Sequence, residues 1–115
     1  MFKLLTRSVD MQIECTHHID ASEPDADGAY DYYYEYDFYR FSDDGICLFA
    51  RSYADSADEA HFLNMEVGEV SRLLMDDDLT HPLFVSACDY LRREGKMHLN
   101  WLSGRGNGYE AVPAM

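Results

Sequence analysis

The chain has 115 residues, 47% of them hydrophobic, enough for one folded domain with a real core and against wholesale disorder. Its formal net charge of −13, with a pI near 4.4, argues against direct binding to nucleic acid or to an anionic membrane and favours a basic partner. Between Ser8 and Tyr39 there is no Lys or Arg, and Asp10, Glu14, Asp20, Glu23, Asp25, Asp27, Asp31, Glu35 and Asp37 all fall there, so most of the excess charge lies in the first third.

The N-terminal stretch Met1–Arg7 has too short an apolar run for a signal peptide, and no segment is apolar enough to span a membrane. Cys15, Cys47 and Cys88 are odd in number, widely spaced and free of any CxxC pair. Free thiols in a reducing cytoplasm are the simple expectation.

In chain order, Val9 to His17 alternates, with Val9, Met11, Ile13 and Cys15 on one face and Asp10, Gln12, Glu14 and Thr16 on the other: a half-buried strand. Residues 20–29, with Pro24 and Gly28, read as a loop. The stretch D-Y-Y-Y-E-Y-D-F-Y-R-F, residues 31–41, reads as a second strand. Its all-aromatic face, Tyr32, Tyr34, Tyr36 and Phe38, is expected in the core. The mixed face of Asp31, Tyr33, Glu35, Asp37, Tyr39 and Phe41 is expected at the surface.

Ser42-Asp43-Asp44-Gly45 is a hairpin turn. A type I turn with a bulge at Gly45 sets Phe38 opposite Ala50, Tyr39 opposite Phe49 and Asp37 opposite Arg51, and this register is expected. A two-residue Asp44-Gly45 turn would instead set Arg51 against Phe38. The third strand runs from about Ile46 to Tyr53. Ser56-x-x-Glu59 matches a capping box, and 61–67 reads as a strand with Leu63, Met65 and Val67 on one face. A short helix is expected over 69–75. A longer one, about 81–94, is capped by Thr80, carries the apolar stripe Leu83, Phe84, Ala87, Cys88 and Leu91, and stops at Gly95. Met97–Leu102 and Tyr109–Val112 read as strands around the Gly-rich turn 103–108. The fold class is therefore α+β, a single domain over 1–115. An antiparallel sheet of about four to six strands carries both helices on one face.

Motifs for chemistry are weak. Gly104-Arg105-Gly106-Asn107-Gly108 lacks the Lys-Ser/Thr of a phosphate-binding loop and no helix follows it. Glu23–Gly28 begins like a calcium loop, but its twelfth position falls on Tyr34. Cys15, His17 and His18 form a metal half-site with no paired second motif, although His61 or His98 could join them. Glu59 beside His61 is explained by the capping box, and Asp76-Asp77-Asp78 by its place before a helix N-terminus. No cofactor is implied.

The remaining signal is an acidic, tyrosine-rich sheet face: Asp31, Tyr33, Glu35, Asp37 and Tyr39, joined across the hairpin by Phe49, Arg51 and Tyr53. Rings beside carboxylates at a surface are what binding hot spots are made of. The functional expectation is a cytoplasmic protein-binding module that occupies a basic protein partner. In size and charge, though in no motif, it resembles toxin-immunity proteins and nucleic-acid mimics. The alternatives are a small enzyme or ligand-binding domain with its pocket between sheet and helices, and a self-associating domain that forms a homodimer through the aromatic face.

Overall fold

A computed structural model describes residues 11–106 and 108–113. The expectations for Met1–Arg7, Val9, Asp10 and Asn107 lie outside them. The chain is α+β. Strands β1 (Gln12–Ala21), β2 (Tyr33–Asp43), β3 (Ile46–Tyr53), β4 (Glu59–Val67), β5 (Val70–Arg72), β6 (His98–Leu102) and β7 (Tyr109–Ala111) form one sheet, and helix α1 (Pro82–Arg93) packs on one face of it. The sheet order is β1-β2-β3-β4-β6-β7, with β5 also on β4. All pairs are antiparallel except β4–β6, which is parallel. Parallel neighbours need a crossover, and α1 supplies it between β4 and β6.

The β2–β3 hairpin closes through two residues, Asp44 (φ 49°) and Gly45 (φ 79°), both in the left-handed region. Such a turn matches the right-handed twist of the strands better than the bulged turn expected from the sequence. The register shifts accordingly: Phe38 faces Arg51, Tyr39 faces Ala50 and Asp37 faces Ser52. A one-residue shift exchanges the faces of one strand relative to its neighbour. Leu48, Ala50 and Ser52 of β3 face the helix, so β2 must bury its odd-numbered residues there. Tyr39 and Phe41 are core, whereas Tyr34 and Tyr32, expected inside, are about half exposed.

Helix α1 has the expected stripe: Leu83, Phe84, Ala87, Cys88 and Leu91 are all buried. They meet Tyr39, Phe41, Leu48, Ala50, Ala60, Phe62, Met65, Leu99 and Trp101 in one core cluster. The Phe62 and Phe84 rings lie 4.6 Å apart. The cap is His81 rather than Thr80: its Nδ1 accepts from the Leu83 amide at 3.1 Å, while the Thr80 hydroxyl donates to the Asp77 carbonyl. Gly95, at φ 94°, ends the helix as expected.

Other local expectations yield to tertiary context. Residues 69–75 hold strand β5 instead of a helix, because the Gly68 turn (φ 64°) folds Val70–Arg72 back onto Met65–Val67. The Ser56–Glu59 capping box is not made: Glu59 opens β4, and its carbonyl accepts from the buried Ser52 hydroxyl at 2.6 Å. A bulge opposite Phe49 and Ala50 resets β4. Phe62 and Met65 thereby both reach the core, whereas strict alternation would have chosen Leu63, Met65 and Val67. Strand β1 runs on to Ala21, past the expected start of the loop.

Candidate functional site

Strands β1 and β2 are longer than the rest of the sheet. Pairing of β2 with β3 ends at Tyr36–Tyr53, but pairing with β1 continues through Ile19–Glu35, Asp20–Tyr34 and Ala21–Tyr33. Residues 19–35 therefore project past the end of β3 as a two-stranded arm. Its tip is ordered by its own polar groups. The Asp25 carboxylate accepts from the amides of Asp27 and Ala29, and the Ser22 hydroxyl accepts from the amide of Asp31. One oxygen of the Asp25 carboxylate in the calcium-loop-like segment, Oδ1, thus accepts from two backbone donors.

The helix-side face of β2 changes character along its length. Beneath the helix it carries Phe41 and Tyr39; beyond the helix it carries Asp37, Glu35 and Tyr33. This accounts for rings and carboxylates sharing one face: coverage by α1 decides which is found. On β1 the same face brings His17 opposite Asp37. His17 donates through Nδ1 to Asp37 at 2.7 Å and through Nε2 to Glu35 at 2.8 Å. Only the imidazolium donates from both nitrogens, so the pair of carboxylates favours the charged form of the ring. The His17 pKa is accordingly raised, first by the Asp37 hydrogen bond and then by that of Glu35. The Tyr33 hydroxyl donates to the second Glu35 oxygen at 3.3 Å. Burial beneath the helix pushes the Tyr39 hydroxyl far up, with Cys15 and Asp37 adding to it.

The opposite face, which α1 does not cover, is an aromatic surface. Rings make contact across five strands: His18 with Tyr36 (5.3 Å, stacked), Tyr36 with Tyr53, Tyr34 with Tyr53, Phe38 with Phe49 (5.7 Å, stacked), Tyr53 with His61, and His61 with Tyr109 (5.1 Å). Arg51 lies at its centre. Its guanidinium is 4.8 Å from the Tyr36 ring centroid and 5.7 Å from that of Tyr53, and it donates to the Tyr53 hydroxyl at 2.8 Å. Its buried Nε has no hydrogen-bond partner. Arg40 adds a second cation on this face, reaching Glu14 at 3.5 Å.

The residues expected to form one patch are thus divided. Asp31 lies in the exposed loop at the arm's tip. Tyr33, Glu35 and Asp37 lie on the helix side of the arm, and Tyr39 on that side is buried beneath α1. Phe49, Arg51 and Tyr53 lie on the open face. Sequence reasoning missed His17, His18, Tyr34, Tyr36 and His61 as surface residues. The signal was present: the Asp44-Gly45 pair specifies a two-residue turn, and that parity places His18, Tyr34 and Tyr36 with Arg51 and Tyr53.

The space between sheet and helix is filled by Phe41, Phe62, Phe84, Leu91 and Trp101. A cleft of about 160 Å³ lies instead at the base of the arm, lined by Tyr33, Tyr34, Glu35, Tyr53, Ala54 and Asp55. Among the described residues, no three His, Cys, Asp or Glu side chains are grouped to hold a metal ion. Cys15, Cys47 and Cys88 are free thiols. No described helix is long and apolar enough to cross a membrane. Comparison with protein-family models, with curated proteins and with solved structures finds no match to this chain.

Proposed function

We propose that the protein is an acidic binding module that occupies a basic protein partner, with the arm as its main contact. One observation carries the reading. The arm presents Asp20, Glu23, Asp25, Asp27, Asp31, Glu35 and the adjoining Asp37 beside the exposed rings of Tyr30, Tyr32, Tyr33 and Tyr34, with no Lys or Arg among residues 19–37. Carboxylates concentrated on a projection attract and orient a cationic surface, and tyrosines give the contact area that charge alone lacks. Phe49, Arg51 and Tyr53 extend the contact onto the open face at the base of the arm, while Tyr39 supports the arm from beneath the helix.

The test is a pull-down from host lysate across a salt series, with Glu23→Lys/Asp27→Lys and Glu35→Lys/Asp37→Lys as paired variants. The first pair alters exposed loop acids; the second also removes both carboxylates that hold His17. The expected result is a basic protein captured at low salt, released as the Debye length contracts, and lost with both variants. A captured partner that is acidic, or one that both variants retain, refutes the reading.

The ring contacts of the open face support a second reading, pairing of two copies through that face. Sedimentation would then show a concentration-dependent dimer that Tyr36→Lys abolishes.

A further inference from the structure

We propose that the cleft at the base of the arm is a receptor for a single lysine side chain; this rests on the basic-partner reading and names the group that would anchor it. The cleft forms where β2 runs on past the end of β3. It is lined by Tyr33, Tyr34 and Glu35 of β2 and by Tyr53, Ala54 and Asp55 where the chain turns away, with the Tyr34 and Tyr53 rings in contact across it at 6.2 Å. Phenol rings supply what a lysine stem and head both need: apolar walls for the methylenes and negative ring faces for the ammonium.

The protein already uses this chemistry next door. The Arg51 guanidinium is held over Tyr36 and Tyr53, so the rings of this face bind a cation of the chain itself. The cleft shares the Tyr53 ring with that site and is lined on its other side by Tyr33 and Tyr34.

Two carboxylates line it, and they differ. Glu35 is engaged, with one oxygen on His17 and the other on the Tyr33 hydroxyl. Asp55 is exposed and has no hydrogen-bond or ion-pair partner among the described residues. Asp20, opposite Tyr34 across the β1–β2 pair, adds a third negative charge nearby. Arg51 and, when protonated, His17 are the opposing charges. Both are committed: Arg51 to the Tyr36 and Tyr53 rings and the Tyr53 hydroxyl, His17 to Glu35 and Asp37. Lysine fits better than arginine because the two lining carboxylates come from different segments of the chain. A compact ammonium with three rotatable donors can turn toward both from one point in a cleft of about 160 Å³, whereas the wider guanidinium plane bridges two carboxylates only where both lie along its edge, as Asp76 and Glu110 do for Arg105.

The probe is the tripeptide acetyl-Gly-Lys-Gly-amide, titrated into the full ¹⁵N-labelled chain at low salt, with the norleucine tripeptide as the uncharged control of nearly equal shape. Saturable shifts are expected at the amides of Tyr33–Glu35 and Tyr53–Asp55 with the lysine peptide and not with norleucine. Asp55→Asn and Tyr34→Ala should each weaken binding about three- to fivefold, in line with an exposed ion pair and an exposed cation–ring contact. Equal shifts from norleucine overturn the proposal. So do shifts spread over the acidic loop that neither variant changes, or tighter binding of the arginine tripeptide.

The outcomes separate the two readings. A basic partner lost with Glu23→Lys/Asp27→Lys but held equally by Asp55→Asn and Tyr34→Ala removes the cleft and leaves the function. Lysine binding in the cleft with no basic partner captured removes the function and leaves the cleft.

Discussion

Replacing Phe41 by Ala should cost far more stability than replacing Phe38, although the two are near neighbours of like character on one strand. Phe41 is fully buried, stacked on Tyr39 at 6.0 Å and meeting the edge of Tyr90 at 5.8 Å. Truncating such a ring removes its transfer free energy and leaves a cavity, about 3–5 kcal/mol together. Phe38 is partly exposed on the open face, with Phe49 as its stacked partner and His18 at its edge. Its loss should cost about 1–2 kcal/mol. With a urea dependence of roughly 1.5 kcal/mol per molar for a domain of this size, the midpoints should fall by about 2–3 M and about 1 M respectively. Urea unfolding followed by far-ultraviolet circular dichroism would read both, and comparing Phe41→Leu with Phe38→Leu keeps the ordering measurable if Phe41→Ala does not fold. A Phe38→Ala midpoint at or below that of the Phe41 variant would mean that the faces of β2 are assigned the wrong way round.

Two other predictions concern groups whose protonation the fold controls. His17 should titrate above its ordinary value of 6.5. A raised folded pKa stabilises the arm fully below the unfolded value, and that contribution is lost as pH rises through the folded one. Amide exchange at Ile19 and Glu35 should therefore quicken as pH passes the folded value by more than the intrinsic rate does. In an NMR titration Asp37→Asn should lower the His17 pKa more than Glu35→Gln, and a His17 pKa at or below 6.5 would refute the clamp. Among the thiols, burial pushes Cys88 up to about 12, so it should resist iodoacetamide until the chain unfolds. Exposed Cys15, its pKa raised by partial burial and by Asp37, should be labelled first but more slowly than a free thiol.

The two faces of the hairpin suggest a division of roles. On the proposed reading, the charge concentrated on the arm acts over distance and would govern encounter. The open face concentrates rings around Arg51, which act at contact. The cleft lies where the two meet, so a partner drawn in by the arm would find its anchoring site at the arm's base.

Much of this fold was legible in the residues. The stripe Leu83, Phe84, Ala87, Cys88 and Leu91 has helical spacing and a glycine stop, and it forms the buried face of α1. The strands expected within 9–17, 31–41, 46–53 and 97–102 are found as Gln12–Ala21, Tyr33–Asp43, Ile46–Tyr53 and His98–Leu102. Local sequence suffices there because period and end signals agree. Which face of β2 is buried could not be read from β2 itself, since both of its faces are aromatic. That choice belongs to the two-residue turn and to β3, where Leu48, Ala50 and Ser52 face the helix and bring Tyr39 and Phe41 with them. The β4 bulge, the return of β5 and the parallel β4–β6 pair are likewise settled by partners distant in sequence. The candidate site follows the same division. The sequence determined that residues 8–39 carry acids and rings without a Lys or Arg. Only the tertiary structure decided that α1 stops short of Asp37, because coverage by a helix is a property of packing that no strand records in its own residues.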